Sequence, residues 1–236
     1  MSSQQDQSGE KQNITRNVAR RIVTEGLFIA FEIAILFFFA GRIDWDYAWA
    51  FAIVTVLIAL VGAAILPREL LSERGRRKEN VEKSDRVITR LIIPFWLAVY
   101  VVSGLDFRFG WSPEIALPLH IAALVAYVLG NAFALWSMAT NAYFSTHVRI
   151  QDDRGHKVCA SGPYRYMRHP GYLGMVTYAS VTPFILGSIW ALVPTGVVVV
   201  LFVVRTVFED RTLKNKLEGY KEYADKVKYR LIPGVW

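Results

Sequence analysis

The residues with the most chemistry to offer lie in one short stretch, Gly162-Pro-Tyr-Arg-Tyr-Met-Arg-His-Pro-Gly-Tyr-Leu-Gly174. Gly162-Pro163 and Pro170-Gly171 are turn dipeptides, so the backbone bends at both ends of a segment carrying two arginines, three tyrosines and a histidine. A bent, polar segment of this kind offers free backbone amides, π faces and cationic groups to a small ligand that bears charges and an aromatic base. Read without its surroundings, the same stretch also suits a loop at a membrane surface, with tyrosines at the interface and arginines on lipid phosphates. Two further residues favour the first reading. Arg205 and Glu209 are four positions apart, so they share one helix face one turn from each other. Arg205 follows the run Val197-Val-Val-Val-Leu-Phe-Val-Val204, where an arginine is costly unless it snorkels or meets an anion. Either Glu209 saturates it, or Arg205 faces a membrane-borne anion while Glu209 faces a water-soluble ligand.

The elements that must hold these groups are membrane helices. Of 236 residues, 53% are hydrophobic and 14% aromatic, too many for an ordinary soluble domain. Apolar stretches at about 24–41, 46–66, 90–107, 114–140, 172–187 and 189–208 approach the ~20 residues that cross a bilayer as a helix. We therefore expect an all-α, polytopic membrane protein of about six spans. A polar tail, 1–21, is expected to be disordered over its first 13 residues. A four-span region, 22–140, contains a charged linker, 67–90, expected to lie on the membrane surface. The remainder, 141–236, is a loop, a helical hairpin turning at Gly187-Ser188, and a C-terminal amphipathic cap with Leu213, Leu217, Tyr220, Tyr223, Ala224 and Val227 at helical spacing.

Basic residues sort by side. Four precede the first span, eight fall in 67–90, five in 141–171 and seven from 209 onward, while the opposite loops hold only Arg42 and Arg108. This places both termini and the motif on the cytoplasmic side. The net charge of +7 is thus a topology signal, and a nucleic-acid partner has no support. One cysteine, Cys159, excludes an intrachain disulfide framework. No His, Cys and carboxylate cluster has metal-ligand spacing, and no P-loop, Gly-x-Ser-x-Gly elbow or Gly-x-Gly-x-x-Gly is present. Glu32, His120 and Asn131 read as polar partners between helices.

Three ordered blocks now make a resemblance specific. Gly162 to Gly174, then Glu209-Asp210-x-x-Leu213, then Gly219-Tyr220-x-x-Tyr223 with Tyr229-Arg-Leu-Ile-Pro-Gly-Val-Trp236 resemble the isoprenylcysteine carboxyl methyltransferase family, and in part the related phospholipid methyltransferases. The blocks cover roughly residues 141–236. The resemblance implies an integral membrane enzyme using S-adenosylmethionine without a Rossmann domain. It implies cofactor binding by His156, Lys157, Val158 and Cys159, by Tyr164, by Arg168, His169, Pro170, Gly171 and Tyr172, and by Glu209 and Asp210, with Gln151 a looser match. It gives Arg205 the place of the substrate-binding arginine and, with Glu209, the catalytic position. Asp210 departs from a pattern in which two glutamates are frequent, and Lys157 and Cys159 stand where smaller or more apolar residues would be unsurprising.

The residue chemistry suits that cofactor independently. Arginine and turn amides can take its carboxylate, a glutamate its ammonium or diol, and tyrosine rings its adenine or sulfonium. A carboxylate acceptor is already ionised at neutral pH and needs no base, whereas an amine must first lose a proton. With no dedicated base evident, an anionic acceptor is favoured. A prenylated cysteine carboxylate, a phospholipid amine and a small thiol all stay open as lipid-like or small acceptors. An NADPH-dependent sterol reductase, whose class also carries an Arg-His-Pro-x-Tyr run, is the alternative of another kind.

Overall fold

The structure is a computed structural model that describes residues 2–76 and 81–236, with side chains of the first helix from residue 12 onward. Eight α-helices account for most of it: α1 (Ser2–Ala40), α2 (Asp46–Ile65), α3 (Arg68–Gly75), α4 (Lys83–Phe109), α5 (Leu117–Thr140), α6 (Pro170–Ile185), α7 (Leu192–Lys216) and α8 (Tyr220–Lys226). Two single turns of 3₁₀-helix, Asp152–Arg154 and Gly162–Arg165, interrupt the long connection from α5 to α6. No strand occurs among the described residues.

Five helices are long and apolar enough to cross a membrane: α1 from Gln12, α2, α4, α5 and α7. Large apolar side chains such as Leu27, Phe38, Leu60, Leu129 and Val193 point outward on them. In water such a belt would be a liability; in a bilayer it meets lipid tails. The fifth apolar stretch of the sequence folds as α6, whose 16 residues rise only about 24 Å, less than the ~30 Å hydrocarbon core. Gly187 has a positive φ of 73°, and Ser188 Oγ donates to Asp106 Oδ2 in the last turns of α4 at 2.5 Å. The α6–α7 hairpin therefore reaches the same end of the bundle as α4 does.

Two boundaries differ from the sequence expectation. Helix α1 begins at Ser2, well before the first apolar stretch at about residue 24. Extending an existing helix adds a hydrogen bond per residue without a new nucleation cost, and Gln, Glu and Lys are good helix formers. Helix α4 begins at Lys83, seven residues before the apolar stretch, because the charged turn Lys83–Arg86 continues the same helix. Of the linker 67–90, only residues 77–80 lie outside the described part. The rest is α3 and the start of α4, with α3 seated on α1: a Cβ at Gly75 would come within 2.1 Å of the Asn17 carbonyl oxygen, and Leu70 and Leu71 are buried beside Val18, Leu135 and Met138.

Close backbone approach recurs where helices must be tight. A Cβ at Gly174 would lie 2.6 Å from the Gly130 carbonyl oxygen, so α5 and α6 touch through glycine. Small residues permit this in a bilayer, where packing and not hydrophobic exclusion holds helices together. The interhelical polar partners fall partly as expected. Trp96 Nε1 donates to Glu32 at 2.5 Å, joining α1 to α4, and His120 Nδ1 lies 3.0 Å from the Ile185 carbonyl on α6. Asn131 turns back on its own helix, donating to the Tyr127 carbonyl.

Candidate active site

The long α5–α6 connection lies against α3, the start of α4, the end of α7 and α8, and encloses a cavity of about 220 Å³. Its construction starts from one buried carboxylate. Asp210, 2% exposed, accepts from Arg168 Nε at 2.7 Å and Nη2 at 3.2 Å, from Tyr220 Oη at 3.2 Å and from Arg230 Nε at 3.2 Å, with His169 Nε2 at 3.3 Å. Arg168 Nη1 also donates to the carbonyls of Val227 and Lys228. The amides of Arg168 and His169 donate to the carbonyls of Tyr229 and Arg230. The C-terminal segment is thus laid across the Arg-His-Pro-Gly turn by backbone bonds, and that turn then starts α6 with Pro170 at its first position, where a missing N–H costs nothing.

The amphipathic cap buries the expected residues but not as one helix: α7 ends at Lys216 and α8 starts at Tyr220, after Gly219 with a φ of 76°. Leu217, Tyr220, Tyr223 and Ala224 are buried together, with Leu213, Val227, Ile150 and Val158 against them. Tyr223 Oη donates to the Tyr164 carbonyl at 2.7 Å, tying α8 to the turn at Gly162–Arg165. Burial raises the Tyr164, Tyr220 and Tyr223 phenols above their ordinary value, so all three keep their protons and act as donors.

A second carboxylate, Asp85 at the start of α4, organises the opposite wall. Arg205 Nε donates to Asp85 Oδ1 at 2.7 Å, and Arg205 Nη2 to the Thr146 carbonyl at 2.8 Å. The other Asp85 oxygen takes the Val148 amide at 3.1 Å and lies 3.0 Å from His147 Nδ1. The Arg205 guanidinium lies 5.4 Å from the Tyr172 ring centre, and Tyr172 Oη donates to Glu209 Oε2. Saturation by Glu209, one of the two sequence alternatives, is not what the structure shows, while Arg205 does line the cavity as the other requires. Its ion-pair partner is Asp85, 120 residues away, and not Glu209, and its Nε and Nη2 are used inside the protein.

Of the residues singled out from the sequence, His156, Lys157, Val158, Cys159, Tyr164, Arg168, His169, Gly171, Tyr172, Arg205 and Glu209 line the cavity together. Gln151, Pro170 and Asp210 are buried behind it. Gln151 donates to the Tyr143 carbonyl and accepts from Arg154, which shapes the loop that carries His156. The sequence reading did not single out Tyr143, Phe144, His147 or Arg74, all on the wall. His147 was the legible omission, an imidazole beyond the end of α5 in the loop already expected to hold the ligand.

A larger cavity of about 450 Å³ lies among α1, α2, α4, α5 and α6, lined mainly by apolar side chains with Glu25, Glu32, Tyr100, Tyr127 and Asn131 between them. Arg74, Met175 and Phe202 belong to the walls of both cavities. The chain is thus a polytopic helical protein with a polar cavity beside a mainly apolar one.

The comparisons with known proteins give that class its chemistry. The isoprenylcysteine carboxyl methyltransferase (ICMT) family profile matches residues 122–215, from mid-α5 through the motif turn to the end of α7. Over 188 residues, 76% of this chain and 93% of the relative, the chain is 32% identical to a probable protein-S-isoprenylcysteine O-methyltransferase of Oryza sativa subsp. indica, and equally to its counterpart in subsp. japonica. The chain belongs to the isoprenylcysteine carboxyl methyltransferase family, and it is a membrane methyltransferase.

Proposed function

We propose that the enzyme transfers a methyl group from S-adenosylmethionine to the carboxylate of a prenylated cysteine. The observation carrying this is the pair of cavities that share Arg74, Met175 and Phe202: one lined by charged and aromatic side chains, the other mainly apolar and among the long apolar helices. The first fits the cofactor in donor and acceptor type. Glu209 offers a carboxylate to an ammonium or ribose diol, His156 and Tyr172 offer π faces, and Val158, Leu213 and Leu217 offer apolar surface to a base. S-adenosylmethionine supplies an electrophilic methyl group when bound. The protein's share is alignment and exclusion of water: Asp210 fixes Arg168 and His169, Asp85 fixes Arg205, and Tyr172 fixes Glu209. In this reading Arg205 and Glu209 hold the reacting groups and neither exchanges a proton. The abundance of lysine and arginine at the cavity end of the bundle supports a cytoplasmic site with both termini on that side.

His147 bears on the alternative. An imidazole on the cavity wall, held by Asp85, is within reach of an acceptor that must lose a proton, such as a phospholipid amine or a thiol. Product chemistry separates the cases. With methyl-labelled cofactor, wild-type protein should label S-farnesyl-N-acetylcysteine as a methyl ester that releases methanol in alkali. Label found only in alkali-stable products from membrane extract would assign the enzyme to amines or thioethers instead.

A further inference from the structure

Arg74 lies in the last turn of α3, where it meets both cavities. It is not a surface arginine free to swing into water. Gly75 brings α3 onto the α1 backbone, Leu70 and Leu71 are buried, and Asn17 Nδ2 donates to Ser72 Oγ at 3.4 Å. Its guanidinium lies 5.6 Å from the Phe144 ring centre, and that ring in turn fills the space a Cβ would need at Gly171 in the motif turn. The arginine is therefore fixed in relation to the polar site as well as to the membrane cavity.

Its charge, however, is left over. Arg74 makes no ion pair among the described residues, and its Nη1 is buried without a hydrogen bond. The neighbouring carboxylates are already engaged: Glu73 with Arg149 at 2.8 Å and Arg76 at 3.0 Å, Glu25 with Arg21 at 2.9 Å, and Asp85 with Arg205. Arg21, which also lines the membrane cavity, has its Nε buried and unbonded too. Burial and Arg21 push the Arg74 pKa down to about 10, so it stays protonated at neutral pH. Two guanidinium groups thus share one carboxylate at the mouth of an apolar cavity. A half-buried cation with a buried, unbonded nitrogen is unfavourable until an anion reaches it.

We infer that Arg74 is the anion anchor for the acceptor, holding the carboxylate of the lipid-tailed molecule as it passes from the membrane cavity into the polar one, with Arg21 beside it. This rests on the acceptor reading above and assigns a specificity-determining role to a residue outside the motif blocks. Arg205, whose charge Asp85 already balances, then serves alignment at the inner wall, while Arg74 supplies the uncompensated charge that distinguishes an acid from its neutral analogue.

Binding measures this without turnover. S-farnesyl-N-acetylcysteine and its carboxamide would be titrated into the full-length protein in phosphatidylcholine nanodiscs with S-adenosylhomocysteine present. Wild type should bind the acid at least about tenfold more tightly than the amide. Arg74→Met, similar in length and uncharged, should lose that preference in a protein that stays folded and still binds S-adenosylhomocysteine, and Arg74→Lys should recover part of it. Undiminished discrimination in a folded Arg74→Met protein overturns the inference alone. Wild-type binding of neither compound overturns the acceptor reading and this inference with it. If about 30% phosphatidylglycerol in the discs weakens acid binding to wild type tenfold but leaves Arg74→Met unchanged, the arginine belongs to a phospholipid headgroup and the acceptor role is wrong.

Discussion

Two aspartates do most of the positioning at the level of single residues. Asp210 gathers two arginines, a histidine and a tyrosine, and Asp85 gathers an arginine, a histidine and a backbone amide. Each lies behind a cavity-lining arginine, so each determines where a cationic group points without facing the ligand itself. Removing either would leave buried cations uncompensated, which costs about 3–5 kcal/mol where it has been measured. His156 is a different case. Burial, with Arg149 and Arg154 nearby, pushes its pKa from 6.5 down to about 4. Its Nδ1 accepts the Gln151 amide at 3.3 Å and its ring lies 4.6 Å from that of Tyr143, an arrangement suited to the neutral ring. Above pH 6.5 the histidine is neutral folded or unfolded and contributes no pH dependence. As pH falls from 6.5 to about 4 the unfolded chain gains a proton that the folded one refuses, so stability drops across that window and levels off below it. Melting temperatures from about pH 7 to 4 should accordingly fall less steeply in His156→Gln than in wild type; parallel curves would show that the ring is not held neutral.

At the level of elements, the α5–α6 contact sets the geometry of the motif turn. Gly174 lies one turn into α6 from Pro170 and meets the Gly130 carbonyl and Ala134. A side chain there must push α6 away from α5 and carry His169 and Tyr172 with it. Gly174→Val should therefore cost about 1–3 kcal/mol or more in thermal unfolding and weaken S-adenosylhomocysteine binding in the protein that survives. Gly26, where an added Cβ would meet nothing within 4 Å, is the control: Gly26→Ala should be neutral or stabilise by up to about 1 kcal/mol, since alanine is the better helix former. Equal effects of the two substitutions on ligand binding would show that the α5–α6 approach does not govern the site.

For the whole molecule, the two ends of the bundle are chemically distinct. Arg42, Asp44, Arg108 and Ser112 mark one end, whereas the α5–α6 connection, α3 and α8 with their many cations mark the other. In a Cys159→Ser background, cysteines at the exposed positions Asn215 and Glu114 should be labelled from opposite faces in sealed vesicles, Asn215 from the cytoplasmic one. Labelling of both from one face would overturn this topology.

The sequence by itself determined the class of molecule, because a bilayer demands long apolar helices and leaves charge only at their ends. The apolar residues of the cap at Leu213–Val227 were legible for a similar reason, although the break at Leu217–Gly219 between α7 and α8 was not. Tyr164, Arg168, His169, Gly171, Tyr172 and Glu209 on the cavity wall were readable from the motif blocks, where turn dipeptides and closely spaced polar groups are local properties, and His156 to Cys159 and Arg205 from the resemblance those blocks carry. What only the tertiary structure decided is which charge meets which. Arg205 and Glu209 share a helix face, yet Arg205 bonds to Asp85 on α4, and Arg74 reads as one of eight cations in a charged linker until α3 is laid on α1 and its neighbours take every nearby carboxylate. Ion pairing is set by distance and burial after packing, and spacing along the chain carries neither.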